Sequence, residues 1–134
     1  MKKLQLKRRS DLSRIEMIKV YCYDRCSTCK KAVDWLNAHK IEFEKIDIKG
    51  DHPDEKTLRA LYAKSGLELK RFFNTSGILY REMELSKKLP SMSDDEKFQL
   101  LSSDGMLVKR PLLVTDDKVC TGFREEEWKK ALLK

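Results

Sequence analysis

The chain has 134 residues, of which 40% are hydrophobic and 38% are charged, and its formal net charge is +7. This length suffices for one domain that buries its own core, and no stretch approaches the roughly 18 consecutive apolar residues of a membrane span. Chain length and composition predict a globular protein, and the lack of a long apolar stretch excludes one that crosses a membrane.

The positive charge is concentrated near the N-terminus. Residues 1–16 carry a net charge of +4 and show no hydrophobic periodicity. We interpret them as a basic extension that is disordered or artefactual, and we place the folded domain at residues 17–134. Since residues 17–134 carry a net charge of only +3, we predict no direct contact with nucleic acid.

The cellular compartment is predicted from the N-terminus and the cysteines. No apolar segment of the kind that directs secretion is visible near the N-terminus. Four cysteines in an intracellular chain of this size indicate redox or metal chemistry rather than a framework of disulfides. We therefore predict a cytoplasmic protein, and we expect a monomer.

The first half of the chain predicts a strand, a cysteine pair and a helix, in that order. Residues 17–22 form an apolar run, residues 26–29 read Cys-Ser-Thr-Cys, and residues 30–39 carry apolar side chains at helical spacing. This sequence is typical of the beginning of a thioredoxin-like unit. Residues 41–48 alternate and predict a second strand, parallel to the first because the connection is a crossover.

The second half predicts a set of helices followed by a hairpin and a final helix. Ser93 and Glu96 have the spacing of a capping box. The predicted elements are a helix from Pro53 to Ser65, a turn at 67–73, a short helix with irregular flanks within 78–89, a helix from Ser93 to near Gly105, hairpin strands at 112–114 and 119–121, and a helix from Glu125. The order predicts an α/β protein of thioredoxin-like fold, β-α-β then β-β-α, with a helical insertion at about 53–103 between the second and third strands.

The cysteine pair lies where a helix begins. A sulfur there faces unpaired backbone N–H groups and the positive end of the helix dipole, which favours the thiolate of Cys26. The dipole contributes about 0.3 to 1 kcal/mol, less than one pKa unit, so a nearby cation is expected to assist. Arg25, Lys30 and a more distant arginine are the candidates. Cys29, one helical turn later, is the predicted resolving thiol.

Other uses of the cysteines are structural packing or metal binding. A structural zinc site takes four ligands, and Cys22, Cys120, His39 and His52 include no second close pair, so we predict no metal. Cys22 and Cys120 lie in predicted strands, where a free cysteine usually behaves as a small buried hydrophobic residue. We expect both to be chemically inert.

Lys109-Arg110-Pro111 leads into the third predicted strand. In a thioredoxin-like fold this is the position of the cis-proline loop beside the thiols, and X-Pro bonds are where cis peptides occur. Arg110 would then face an oxyanion or the Cys26 thiolate, because its planar guanidinium can bind two oxygens at once. The alternative is a surface Lys-Arg pair before an edge strand.

Taken together, several segments resemble the thioredoxin-fold group that unites glutaredoxin-coupled arsenate reductases of the ArsC type with Spx-like redox regulators. The resemblance covers residues 17–134. The matching segments are Tyr-Cys-Tyr-Asp-Arg-Cys-Ser-Thr-Cys-Lys-Lys-Ala at 21–32, Leu-Lys-Arg-Phe-Phe-Asn-Thr-Ser-Gly at 69–77, Lys-Arg-Pro-Leu at 109–112, and Gly-Phe at 122–123.

The resemblance to arsenate reductases implies roles for individual residues. Their catalytic cysteine matches Cys26, and their arginine before proline matches Arg110. Their second oxyanion arginine falls on Asn74, with Arg71 three positions earlier, and Pro111 completes the implied substrate site. Their third oxyanion arginine falls at residues 121–122, which hold none, and this family usually has a small non-thiol residue where this chain has Cys29.

The resemblance to Spx-like regulators implies a different activity. Those proteins use Cys-x-x-Cys as a disulfide switch and bind the C-terminal domain of the RNA polymerase α subunit. Our leading hypothesis is a thiol-disulfide oxidoreductase that reduces arsenate or a disulfide, with no bound cofactor and with electrons from thioredoxin or from glutathione and glutaredoxin. The alternatives are a redox-gated regulator that binds the RNA polymerase α subunit, and an inert scaffold.

Overall fold

The computed structural model describes residues 18–133, and the predicted extension at residues 1–16 lies outside the described residues. The strands are β1 (Lys19–Cys22), β2 (Glu44–Asp47), β3 (Leu112–Val114) and β4 (Val119–Thr121). The α-helices are α1 (Ser27–Ala38), α2 (Glu55–Ser65), α3 (Ile78–Glu82), α4 (Leu85–Lys88), α5 (Asp94–Ser103) and α6 (Glu125–Leu132). Short 3-10 helices span Leu69–Phe72, Leu89–Ser91 and Gly105–Leu107.

The strands form one mixed sheet in the order β2-β1-β3-β4. β1 and β2 are parallel and are joined by α1, with Tyr21 opposite Ile46. β3 is antiparallel to both β1 and β4, and the β3-β4 hairpin pairs Leu113 with Cys120. This topology confirms the predicted α/β thioredoxin-like fold with a helical insertion between the second and third strands.

The core has two parts, one on each face of the sheet. Successive side chains of a strand point to opposite faces, so Val20 and Cys22 point one way and Tyr21 points the other. Val20 and Cys22 pack in a cluster with residues of α1 and α6, including the fully buried Trp128. Tyr21 packs in a larger cluster with the insertion, including Leu58 of α2. The cysteine pair therefore belongs to the α1 face.

β2 is shorter than the predicted strand at residues 41–48. The chain is still turning out of α1 at Ile41, whose N–H donates to the Leu36 carbonyl at 3.0 Å, and Lys40 has a positive φ of 57°. β2 is an edge strand in which only Ile46 is not exposed. An edge position explains why its pattern is mostly polar.

The insertion follows the prediction at its helix ends and differs from it in the middle. The Ser93 and Glu96 capping box is present, and Gly66 ends α2 in the left-handed conformation. The stretch predicted as one short helix contains two, α3 and α4, because Glu84 between them has a φ of 54°, which breaks helical geometry. No helix within residues 18–133 is long and apolar enough to cross a membrane.

Candidate functional site

Cys26 is the N-cap residue of α1. Its backbone is extended, with φ −95° and ψ 118°, and no acidic residue lies in the first turn of the helix. Its own N–H donates to the Tyr23 carbonyl at 3.0 Å, which holds the loop after β1 in a tight turn. Cys26 is partly exposed, whereas the other three cysteines are buried. Of the four thiols, Cys26 is therefore the one that a substrate in solution can reach.

Cys29 lies behind Cys26, with only 2% of its surface exposed. The Tyr23 N–H donates to its sulfur at 3.4 Å. Cys29 packs with Cys22 in the buried cluster on the α1 face, and Cys26 is partly buried against that cluster. Hydrogen bonding with Cys22, together with burial, raises the pKa of Cys29 well above the ordinary range, so its proton must leave before it can act as a nucleophile.

Cys22 and Cys120 are buried, as the sequence predicts. The environments of the two thiols differ. Burial raises the pKa of Cys120, while the hydrogen bond from Cys29 lowers the pKa of Cys22. Cys22 therefore packs against Cys29, the predicted resolving thiol. The sequence predicts an inert Cys22 and does not indicate this contact.

Arg110 connects the cysteine loop to the loop before β3. The Arg110-Pro111 peptide bond is cis. The guanidinium carbon of Arg110 lies 5.1 Å from the centre of the Tyr23 ring, a cation–π contact. The Nε and Nη1 atoms of Arg110 are buried and have no hydrogen-bond partner. Two charged donors are therefore available to a ligand beside the cysteine loop.

Arg110 lines a cavity of about 410 Å³, which we call the basic cleft. Thr28 of α1, two residues after Cys26, lines the cleft beside it. The buried hydroxyl of Thr121, which has no hydrogen-bond partner, is also part of the wall. The basic residues of the lining are Lys70, Arg71, Lys109, Arg110 and Arg124, and its acidic residue is Glu68.

The predicted substrate residues divide between the cleft and the core. Arg71 lies in the lining of the basic cleft. Asn74 does not: it is 8% exposed, its side-chain amide donates to the Met106 carbonyl at 3.4 Å, and its backbone N–H donates to the Leu107 carbonyl at 2.7 Å. These bonds give Asn74 a place in the packing of the insertion, and its role as an oxyanion ligand stays a prediction.

Some residues of the basic cleft were missed by sequence reasoning. Lys109 belongs to the Lys-Arg-Pro motif but had no predicted site role, and Arg124 lies two positions after Gly122, beyond the matching Gly-Phe segment. In the sequence, residues 121–122 stand out only because they hold no arginine, whereas in the structure Thr121 and Arg124 both line the basic cleft. For Lys70, the one indication of a site role in the sequence was its position directly before Arg71.

The sequence profile of the ArsC family matches residues 21–131, most of the chain. The protein belongs to the ArsC family. It is 52% identical over 108 residues to the uncharacterised protein YusI of Bacillus subtilis (strain 168), which covers 81% of this chain and 92% of YusI. A crystal structure of an ArsC-family-related protein from Bacteroides fragilis has a TM-score of 0.83 at 47% identity, covering 84% of this chain and 95% of that one.

A third relative is a regulator. The global transcriptional regulator Spx 2 of Lactococcus lactis subsp. lactis is 25% identical over 118 residues, which cover 83% of each chain. The comparisons thus confirm the resemblance to the ArsC and Spx group of thioredoxin-fold proteins. Within residues 18–133 no group of three or more potential ligands could hold a metal ion.

Proposed function

We propose that this ArsC-family protein is a thiol-disulfide oxidoreductase that accepts an anionic oxidised substrate at Cys26. One observation carries this proposal. The two buried, unpartnered donors of Arg110 and the unpartnered hydroxyl of Thr121 line a single cleft, beside the helix end where Cys26 is partly exposed.

An anion fits the basic cleft for a physical reason. Buried donors without a partner cost about 1 to 3 kcal/mol each, and more when they are charged. An oxyanion or a substrate carboxylate would accept these hydrogen bonds and would also face the excess of basic over acidic residues in the lining. The planar donor edge of Arg110 suits such a group better than a lysine would.

The chemistry for a disulfide substrate runs in two exchange steps. The Cys26 thiolate attacks one substrate sulfur, and the other substrate sulfur leaves as a thiolate. Cys29 then attacks the sulfur of Cys26, and the bound substrate sulfur leaves. The substrate has gained two electrons and the cysteine pair has lost two, so a dithiol such as thioredoxin, or glutathione with glutaredoxin, must reduce the pair again. No bound cofactor takes part.

Arsenate is the second substrate that the family membership favours. Arg71 and Arg110 both line the basic cleft, so two of the proposed oxyanion ligands belong to one cavity. The thiolate of Cys26 would attack arsenic, and an oxygen of arsenate would leave as water. Cys29 would then attack the sulfur of Cys26, so that the S–As bond breaks, arsenite leaves and the Cys26–Cys29 disulfide forms. Thioredoxin, or glutathione with glutaredoxin, would supply the two electrons that reduce the cysteine pair again.

The test is NADPH consumption, coupled through thioredoxin or glutaredoxin systems, on arsenate and on an acidic disulfide peptide in parallel. We expect turnover of at least one substrate by the wild type and by Cys120→Ser, the matched control, because Cys120 lies outside the cleft. Cys26→Ser is expected to reduce turnover to background. Activity that survives in Cys26→Ser would refute the proposal.

A regulator is the second candidate, favoured by the similarity to Spx 2 over most of both chains and by the Cys-x-x-Cys pair. In this case the partner would be the C-terminal domain of the RNA polymerase α subunit, and the cysteine pair would switch binding. Capture of that domain by the reduced protein, lost on oxidation, would support this function. Capture that is independent of oxidation state would contradict the switch.

A further inference from the structure

Cys22 is a buried thiol that takes no part in the proposed oxidoreductase mechanism. It ends β1, is 1% exposed, and its side chain points to the face of the sheet that α1 covers. It packs in one buried cluster with Cys29, and both residues line the same cavity. Cys26 is partly buried against that cluster, so Cys29 has the partly exposed Cys26 and the buried Cys22 as its neighbouring thiols.

Lys45 favours the thiolate of Cys22 in the form that must react. In the reduced protein the hydrogen bond from Cys29 lowers the pKa of Cys22, against the effect of burial; once Cys29 is in a disulfide it has no proton to donate, and the ammonium group of Lys45 on β2 still lowers the pKa of Cys22. Lys45 is held by an ion pair with Asp24 at 3.1 Å. Cys22, Cys29 and Lys45 together line a second cavity of about 230 Å³, to which the residues of the basic cleft do not contribute.

We propose that Cys22 is a third redox thiol, and that the oxidised protein passes its disulfide inward from Cys26–Cys29 to a buried Cys22–Cys29 bond. The proposal deepens the proposed function, because it rests on Cys26 as the thiol that receives the oxidising substrate. Cys120 takes no part, since it lies on β4 and is not among the residues that line the cavity shared by Cys22 and Cys29.

The inward step is a thiol-disulfide exchange within one molecule. The Cys22 thiolate attacks the sulfur of Cys29 in the Cys26–Cys29 disulfide, the Cys22–Cys29 bond forms, and the bond to Cys26 breaks. Cys26 leaves as a thiolate. No electrons are gained or lost in this step, because one disulfide and one thiolate are present before and after it.

The exchange has two consequences. Cys26 is restored as a free, partly exposed nucleophile while the protein still carries two oxidising equivalents. The new disulfide joins two residues that are 1% and 2% exposed, so reductants in solution reach it less readily than a bond that includes Cys26. The oxidised protein would then be reduced chiefly by reversal of the exchange through Cys26.

Tryptic peptides distinguish the two disulfides directly. Trypsin cleaves after Lys19, Arg25 and Lys30, so Cys22 lies in the peptide 20–25, while Cys26 and Cys29 share the peptide 26–30. A Cys26–Cys29 disulfide stays within one peptide. A Cys22–Cys29 disulfide links the two peptides, and Cys26 is then available for alkylation.

The experiment oxidises the reduced, full-length protein with one equivalent of diamide, which takes up two electrons and two protons. The remaining thiols are alkylated under denaturing conditions at low pH, and the digest is analysed by mass spectrometry. In the wild type and in the Cys120→Ser control we expect the linked peptides, with the alkyl group on Cys26. In Cys22→Ser we expect loss of the linked species and a disulfide confined to residues 26–30.

Cys26→Ser tests the route. We expect its Cys22–Cys29 bond to form more slowly than in the wild type, on the order of tenfold or more, because the accessible thiol is missing. Equal rates would overturn the route through Cys26. In the wild type, a disulfide only within residues 26–30, a Cys22–Cys26 link or no disulfide at all would each overturn the proposal.

The two proposals fail in different ways. The disulfide mapping is stoichiometric and needs no substrate, so loss of NADPH-coupled turnover with intact Cys22–Cys29 linkage contradicts only the proposed function. Turnover in the wild type without that linkage contradicts only the inward exchange. The wild-type mapping also remains decisive if Cys22→Ser, at a fully packed position, does not fold.

Discussion

Arg110 is held in place by packing and still has hydrogen-bond donors available to a ligand. One face of its guanidinium lies over the Tyr23 ring, and Tyr23 in turn accepts the Cys26 N–H and donates to the Cys29 sulfur. Its Nε and Nη1 atoms remain without a protein partner. The arginine is thus fixed in position by an aromatic contact while two of its donors stay available to an anion.

Replacement of Arg110 by methionine tests its contact with the substrate. Methionine preserves much of the apolar stem and removes the charge. Because a hydrogen bond to a charged group contributes about 1.5 to 3 kcal/mol, we expect kcat/KM for an anionic substrate to fall by about 10- to 100-fold. Steady-state kinetics measure the change.

The matched control for this substitution is Arg81→Met, since Arg81 is exposed on α3 and outside the lining of the basic cleft. Its kcat/KM is expected to match that of the wild type. An unchanged kcat/KM in Arg110→Met would show that the cleft does not bind the substrate through this residue.

Cys120 predicts a pH dependence of stability. Burial raises the pKa of its thiol, so the unfolded chain ionises first as the pH rises above about 8.5. The free energy of unfolding therefore falls with rising pH through this group, and Cys120→Ala removes that part of the fall. Urea denaturation at about pH 7 and about pH 10 should give a smaller difference in the variant. An equal or larger difference would contradict the prediction.

At the scale of elements, the short 3-10 helix Gly105–Leu107 lies directly against the end of β2. A Cβ atom at residue 105 would stand 1.8 Å from the carbonyl oxygen of Ile48 and 2.9 Å from the Cβ of His52. Backbone cannot move aside as a flexible side chain can. The glycine is therefore required for the close approach of the insertion to the sheet.

Gly105→Ala is accordingly expected to destabilise the fold by about 2 kcal/mol or more, as overpacking against backbone does. Gly50→Ala is the matched control, because its Cβ would meet only the side chain of Asp47 at 3.1 Å. Thermal unfolding of both variants measures the difference. Equal melting temperatures for the two variants would contradict the proposed contact.

The sequence predicted elements best where local chemistry decides them. The capping box at Ser93, the left-handed Gly66 and the hairpin from Leu112 to Thr121 were all recognisable from short-range patterns. The boundary of β2 and the division between α3 and α4 were not. Both depend on positive φ values at Lys40 and Glu84, which neighbouring residue types do not indicate.

At the scale of the whole molecule, residues 18–133 supply a core cluster to each face of the sheet. We therefore predict that deletion of residues 1–16 leaves both the melting temperature and the redox activity almost unchanged. Differential scanning calorimetry and the NADPH-coupled assay would measure the two. A large loss of either would show that the basic segment contributes to the fold or to the site.

The sequence by itself determined the order of elements, the family and the place of the cysteine pair at a helix start. Strand, Cys-x-x-Cys and helix are contiguous in the chain, so Cys26 and Cys29 could be assigned roles from spacing alone. Arg110 was identified in the same way, from its place before Pro111. These features depend on residues that are neighbours in sequence, and local physical chemistry is sufficient to interpret them.

Only the tertiary structure decided which distant residues share a site. Arg71, Arg110 and Arg124 come from three separate segments, and the fold brings them to one cleft. Asn74 directly follows the cleft residue Phe73 on a buried segment, yet its side-chain amide donates to the Met106 carbonyl. Side-chain direction depends on packing against the whole insertion, and the contact of Cys22 with Cys29 depends in the same way on how α1 packs across β1.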